Sequence, residues 1–371
     1  MKNLITTIGL MSGTSCDGID ASIIKSDGEN EVNFIGNHFV PYEKELKTKI
    51  RNLKEKTNII LDLEKNTLEI NSLEKEITFL HAKIINIITE KFELSKSEID
   101  LIGFHGHTIL HSFKEKKTKQ IGDGRLLSQL TKLNVVYNFR ENDIKNGGQG
   151  APLVPIFHKL LQIKLKLKIP LVFLNIGGIS NLTYINHDNE ISSFDTGPGN
   201  FLIDKILQLK SNGKIQFDEN GMIAFTGNVE KKVLNNYLND PYYEFLPPKS
   251  LDVNDFIISP LRSLSLKDSV ATLSELTSLT AVNALKFLKL KPKEIILCGG
   301  GRKNKYIFER IKKLSNISIN NIDKYKINGD FIESQAFAYL AIRSFLKKAI
   351  SFPETTGVLK PTTGGDFIKF K

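Results

Sequence analysis

Asp195 is the residue of this sequence best set up to act as a base. It stands in FDTGPGNFLID (194–204), after an apolar run and before a Gly-Pro-Gly turn. A carboxylate held on rigid backbone can take the proton from a bound nucleophile. The plainer alternative is a helix cap, but Pro198 or Asn200 can start the next helix without Asp195. Three loops of small residues offer a complementary chemistry, the holding of phosphates. The first, IGLMSGTSCDGID (8–20), sets Gly13, Thr14, Ser15, Cys16, Asp17, Gly18, Ile19 and Asp20 behind an apolar run. Glycine lets the backbone approach a phosphate closely, and N–H and hydroxyl groups donate to its oxygens. Asp17 and Asp20 alone would repel phosphate. They fit beside one when Mg2+ bridges, directly or through its waters. The second loop, LNIGGISNLTYI (174–185), contributes Gly177, Gly178 and Asn181. The third, ILCGGGRKN (296–304), carries Gly299, Gly300, Gly301 and Asn304. Its bare backbone suits a flat group such as adenine. It is neither a Walker loop nor a G-x-G-x-x-G fingerprint, and a tight strand-to-helix turn is the plain alternative.

Three further segments read as a site for a polar, hydroxyl-rich ligand. FRENDIKNGGQGAPLVPIFH (139–158) mixes Arg140, Asp143, Gly148 and Gln149 in a Gly-rich loop pinned by Pro152 and Pro155. Such donors and acceptors suit the hydroxyl and carboxylate groups of a sugar. GFHGHTILH (103–111) holds three of the seven histidines. No cysteine or paired carboxylate is spaced to complete a zinc site with them. His105, beside a glycine at a strand end, reads as a substrate contact, and His107 and His111 as structural. In GDFIESQAFAYLA (329–341), Glu333 opens a helix. It reads equally as a first-turn carboxylate favoured by the helix dipole and as a group facing a ligand.

These residues need elements that bring them to strand ends. ITTIGLM (5–11), IDASIIK (19–25) and EVNFIGNHFV (31–40) read as three strands with short links. A helical region over about 43–92 follows, with Leu73, Ile77, Leu80, Ile84 and Ile87 at helical spacing. Packing on a sheet explains that stripe better than a coiled coil, which would need more heptads. Further strands are expected at 99–106 and 134–139, and helices at about 125–132 and 155–163. The pattern then restarts with strands at 171–178, 181–186 and 191–197, helices, a strand at 294–301, and a last helix over about 333–350. The expected fold is therefore α/β with two similar lobes, residues 1–168 plus 334–371 and residues 169–333. Two such lobes imply a cleft, where ligands tend to bind.

The 371 residues are 40% hydrophobic and 25% charged, the composition of a globular chain long enough for two domains. Cys16 and Cys298 are too few for a disulfide framework, which points to a reducing compartment. MKNLITTIGL has no long apolar core with a cleavage site and reads as a strand, and no apolar run has membrane-spanning length. A soluble, cytoplasmic protein is expected. The net charge of +10 comes mostly from lysines scattered along the chain. Nucleic-acid binding would be expected to cluster them. A solvated basic surface is the better reading.

In order, GLMSGTSCDGID, FHGHTILH, FR…D…GGQGAPLVPIFH, LNIGGISNLT, FDTGPGN and CGGGRKN resemble the motifs of the anhydro-N-acetylmuramic acid kinases, from about residue 8 to residue 341. The resemblance implies an actin/hexokinase-like (ribonuclease H-like) fold whose lobes close over ATP. It places the nucleotide stretch on Gly13 to Asp20 and the catalytic aspartate on Asp195. It implies hydrolysis of the 1,6-anhydro bond with phosphorylation of O6, giving N-acetylmuramic acid 6-phosphate in cell-wall recycling, and a homodimer. Two departures stand out. Cys16 occupies a position commonly apolar in the family, and FIESQAFA lacks the lysine that usually precedes the glutamate. An ordinary hexose kinase would share the fold, but the pair GGQGAPLVP and FDTGPGN favours the anhydro sugar. A chaperone-like ATP switch would be expected to carry a separate partner-binding domain.

Overall fold

Apolar runs that lack alternation build the centre of each sheet. In the first sheet, β1 (Ile5–Ser12) and β2 (Gly18–Ser26) are buried almost throughout, whereas β3 (Val32–Pro41) alternates toward solvent at the edge. The computed structural model describes residues 4–13, 16–112 and 115–370. It divides into two compact units, Met1–Leu165 with Phe331–Lys371, and Lys166–Asp330.

The first unit adds β4 (Leu101–Ser112), β5 (Lys117–Ile121), β6 (Val135–Tyr137) and β12 (Asp366–Ile368). Its strand order is β12-β6-β4-β1-β2-β3, with β5 paired to β4. β1, β2 and β3 form an antiparallel meander, and β4 and β6 run parallel to β1. The helix Thr67–Lys91 buries Leu73, Ile77, Ile84 and Ile88 and lies against β2, β3 and β5. It is a sheet-covering helix, as its short apolar stripe predicts.

The helix Ile332–Phe345 crosses the same sheet at backbone distance. Gly9 on β1 and Gly103 on β4 are register partners. A Cβ on Gly9 would lie 1.9 Å from the Ser334 carbonyl oxygen, and one on Gly103 2.2 Å from that of Phe337. Two missing side chains thus make the trough that seats this helix and places Glu333 in its first turn.

The second unit comprises β7 (Leu171–Ile176), β8 (Ile179–Ile185), β9 (Ile191–Pro198), β10 (Glu294–Cys298) and β11 (Ser318–Asn321), in the order β11-β10-β7-β8-β9. β7 to β9 are again an antiparallel meander, and β10 and β11 run parallel to β7. The nearly all-buried helix Leu266–Asn283 supports β8 and β9. The central order 3-2-1-4-5 and its strand senses are the same in both sheets. That is the ribonuclease H-like topology of the actin/hexokinase type.

β5, β11 and β12 lie outside the strands expected from the sequence. KTKQI alternates lysines with the buried Thr118 and Gln120 and has a single buried apolar residue, Ile121, so no apolar run announces it. Both cysteines are buried free thiols. Among the described residues, no helix is long and apolar enough to cross a membrane.

Candidate active site

In the second unit, the bulge between Ser180 and Asn181 sets Asn181 directly opposite Asp195 on the β8–β9 ladder. Opposed residues of an antiparallel pair share a face, so the amide and the carboxylate are neighbours. Asp195 is held three ways by the segment that follows the helix Lys231–Leu238. Its N–H donates to the Lys249 carbonyl (3.0 Å), its carbonyl accepts from the Tyr242 hydroxyl (2.6 Å), and its Oδ2 accepts from the Leu251 N–H (2.8 Å). Oδ1 has no partner among the described residues. Burial pushes the Asp195 carboxyl up to about 7, and the Leu251 N–H opposes only part of that. A carboxylate with one fixed oxygen, one free oxygen and a pKa near neutrality is equipped for proton transfer.

The two glycine loops of this unit meet. The Gly177 and Gly178 carbonyls accept from the N–H groups of Asn200 and of Gly199 and Phe201 (2.8–3.2 Å). Gly299 has φ +73° and abuts Asn175 and Ile176, and Gly301 packs on Ile176. These two glycines are explained by the fold. Gly177 and Gly300 are not. Their φ angles are ordinary, and an added Cβ would meet no protein atom closer than 3.5 Å and 3.8 Å respectively. Their bare faces suit a group that comes close to the backbone. Arg302 is buried and clamps the third loop, donating to the Gly299 carbonyl (3.0 Å) and pairing with Asp323 (2.6 Å) and Asp330 (2.7 Å). The Asn304 Oδ1 accepts from the Ile307 N–H (3.1 Å), so this side chain caps the helix Lys305–Ser315.

In the first unit, the loop after β1 is anchored by residues around it. The Cys16 N–H donates to the Gly13 carbonyl, and the Asp17 carbonyl accepts from the Tyr42 N–H. Thr14 and Ser15 lie outside the described residues. Ser12 Oγ bonds the His107 Nδ1 (2.8 Å) and the Tyr42 hydroxyl (2.7 Å), and the Cys16 Sγ faces His107 Nε2 at 3.6 Å. Cys16 and Ile19 therefore point into the core, and His107 is structural. Gly18 lies against the Val40 carbonyl and the Phe39 ring. Asp17 is exposed and paired with Lys47 (2.9 Å), while Asp20 is half-buried on β2. Among the described residues, no three His, Cys, Asp or Glu side chains gather as a metal site would need.

A second polar group lies in the same unit. Arg140 Nε donates to His105 Nε2 (3.1 Å), which leaves the His105 Nδ1–H to donate to the Gly106 carbonyl (2.9 Å). Burial, reinforced by Arg140, keeps this imidazole neutral, far below its ordinary pKa. Arg140 Nη1 donates to the Gly150 carbonyl (2.8 Å). Its Nη2 has no partner among the described residues. Glu333 is half-buried with Arg140 as its charged neighbour, and burial raises its pKa. Its carboxylate also lacks a hydrogen-bond partner among the described residues. Asp143 is different, because its carboxylate is used inside the loop. Oδ2 accepts from the Gly150 N–H (2.7 Å), Oδ1 accepts from the Thr356 hydroxyl (2.6 Å), and the same carboxylate fills the space beside Gly148. The Gln149 N–H donates to the Thr356 carbonyl (2.8 Å). Asp143 thus shapes the loop, and the free polar capacity belongs to Arg140 and Glu333.

Sequence reasoning passed over Tyr242, Lys249 and Thr356. The rigid PPKS run before Leu251 was the available signal for the first two.

A family model described as anhydro-N-acetylmuramic acid kinase matches residues 5–369. The protein of that name from Pelagibacter ubique (strain HTCC1062) is 47% identical over the full length of both chains. The one from Rhizobium etli (strain ATCC 51251 / DSM 11541 / JCM 21823 / NBRC 15573 / CFN 42) is 40% identical over 97% of each. A ROK family glucokinase from Streptomyces griseus, solved with glucose and AMPPNP, aligns over 91% of this chain and 99% of its own, with 10% identity and a TM-score of 0.42. A likeness that loose carries no argument.

Proposed function

The chain belongs to the anhydro-N-acetylmuramic acid kinase family, and from that membership we propose that it uses ATP to open 1,6-anhydro-N-acetylmuramic acid and phosphorylate its O6. The observation that carries the mechanistic reading is the Asp195 carboxyl, with one oxygen tied to Leu251, the other free, and a pKa raised to about 7. Asp195 takes a proton from water as the water oxygen bonds to the anomeric carbon. The C1–O6 bond breaks, O6 bonds to the γ-phosphorus, and the bond from that phosphorus to the ADP oxygen breaks. Water arriving opposite the leaving oxygen makes this the inverting geometry of glycoside cleavage.

Arg140, through Nη2, and Glu333 are the proposed sugar contacts, with His105 holding Arg140 in place. Asp143, Gly148 and Gln149 shape the loop that presents them. The open backbone at Gly177 and Gly300, with Asn181, suits the nucleotide, as does the Gly13–Asp20 loop. Phosphoryl transfer needs mainly positioning and charge neutralisation. Mg2+, when bound, would supply part of that neutralisation. Asp17 and Asp20 would hold it, directly or through water, and both carboxylates lie on or beside the first loop. The reading places the enzyme in the cytoplasm, in recycling of cell-wall amino sugars, and as a homodimer.

The test is ADP release with Mg-ATP and 1,6-anhydro-N-acetylmuramic acid, run beside N-acetylmuramic acid and N-acetylglucosamine. ADP release with the anhydro sugar alone is expected. Release with only the ordinary sugars would reassign the substrate.

A further inference from the structure

Lys249 has no part in the chemistry above, yet its ammonium group is buried. The residue is 7% exposed. Its Nζ lies 4.4 Å from the ring centre of Phe287, 4.6 Å from that of Tyr242 and 5.9 Å from that of Phe194, and donates to the Tyr242 carbonyl (2.9 Å). Three aromatic faces around one ammonium make a cation–π box. One wall, Phe194, is the chain neighbour of Asp195, and another, Tyr242, bonds the Asp195 carbonyl.

The box sits on a strap that has no secondary structure of its own. β9 is an edge strand, and residues 245–252 beside it have no helix or strand of their own. This strap supplies the Lys249 carbonyl and the Leu251 N–H that hold Asp195. We propose that Lys249 is a positioning residue for Asp195: its boxed ammonium pins the strap to the β9 edge and so keeps the Leu251 N–H on Oδ2, leaving Oδ1 aimed at substrate. The inference rests on Asp195 being the base.

The charged and titratable groups facing the box are Lys286 and Glu244, which pair with each other (2.7 Å). Those facing Asp195 are Tyr242 and, through Tyr242, Asp255. The ammonium is desolvated, and its pKa falls to about 8.

The test compares Lys249→Met, Lys249→Arg and Phe287→Leu with the unsubstituted enzyme. Methionine keeps the apolar stem and removes the charge. Losing the Leu251 donor disfavours the charged carboxylate, so the acid limb of the kcat/KM profile moves up by about half a pH unit or more. At pH 7, kcat falls about tenfold or more. Lys249→Arg recovers most of both, because a guanidinium also binds aromatic faces. Phe287→Leu removes one wall without touching charge and shifts the limb the same way. An unshifted limb in Lys249→Met, or no rescue by arginine, overturns the proposal. A 13C-carboxyl titration, with the Asp195 signal identified by its loss in Asp195→Asn, reads the same shift without turnover. Full activity in Asp195→Asn would sink the base assignment, whereas an unmoved Asp195 titration in Lys249→Met sinks the positioning role alone.

Discussion

Replacing Asp195 with asparagine should destroy activity and at the same time make the protein more stable, increasingly so as pH rises. Asparagine keeps the oxygen that accepts from the Leu251 N–H and removes the charge that burial opposes. The carboxyl is raised from 3.8 to about 7 by folding. With the folded pKa above the unfolded one, the stability this group lends is fully present below about pH 4. It is lost as pH rises through about 7. Taken whole, that gap is worth about 4 kcal/mol. The side chain is only half-buried, so solvent screening reduces the figure to about 2–3 kcal/mol. Urea unfolding of both proteins at pH 5 and pH 8 provides the assay. The asparagine variant should unfold at higher urea at pH 8, with a much smaller advantage at pH 5. Its kcat should fall by about 10²–10⁴. An advantage that is equal at the two pH values would refute the argument from burial, and retained turnover would refute the role of base.

Gly177→Ala should fold normally and raise KM for ATP, because the added methyl meets no protein atom closer than 3.5 Å. Gly299→Ala, at φ +73° and against Asn175 and Ile176, should instead lower thermal stability by about 1 kcal/mol or more. Thr356→Val leaves the buried Asp143 Oδ1 without its donor. A loss of about 1–3 kcal/mol in chemical denaturation is expected, with a higher KM for the sugar as the Gly148–Gln149 loop loosens. In the unsubstituted enzyme, kcat/KM should fall about tenfold per pH unit below about 7, where Asp195 becomes protonated.

Most of the sheet framework could be read from the sequence because its central strands are largely apolar runs. ITTIGLM and LVFLNIGG announce β1 and β7 directly. KTKQI does not announce β5, since two of its three buried side chains are polar. The Asp195 segment was legible because a carboxylate beside Gly-Pro-Gly is chemically conspicuous. Its supports were not. Tyr242 and Leu251 lie 47 and 56 positions away, and the Thr356 that occupies Asp143 lies 213 positions away. Local pattern carries no information at such separations. Glycines posed the same difficulty. Gly177 and Gly301 look alike in sequence, yet one has room for a side chain and the other makes room for Ile176. The Oδ1 of Asn304, a residue that reads as a ligand contact, caps a helix, which the sequence does not announce.

The most direct test of the central claim is the reaction run in 18O-labelled water with Mg-ATP and the anhydro sugar, quenched within about a minute and read by mass spectrometry. The account predicts a sugar product that is heavier by one phosphoryl group and one water, with 18O on the anomeric carbon and none in the new phosphate ester. Label in the phosphate, or ADP formed while the anhydro ring stays closed, would mean that water attacks ATP rather than the sugar, and the account would fall.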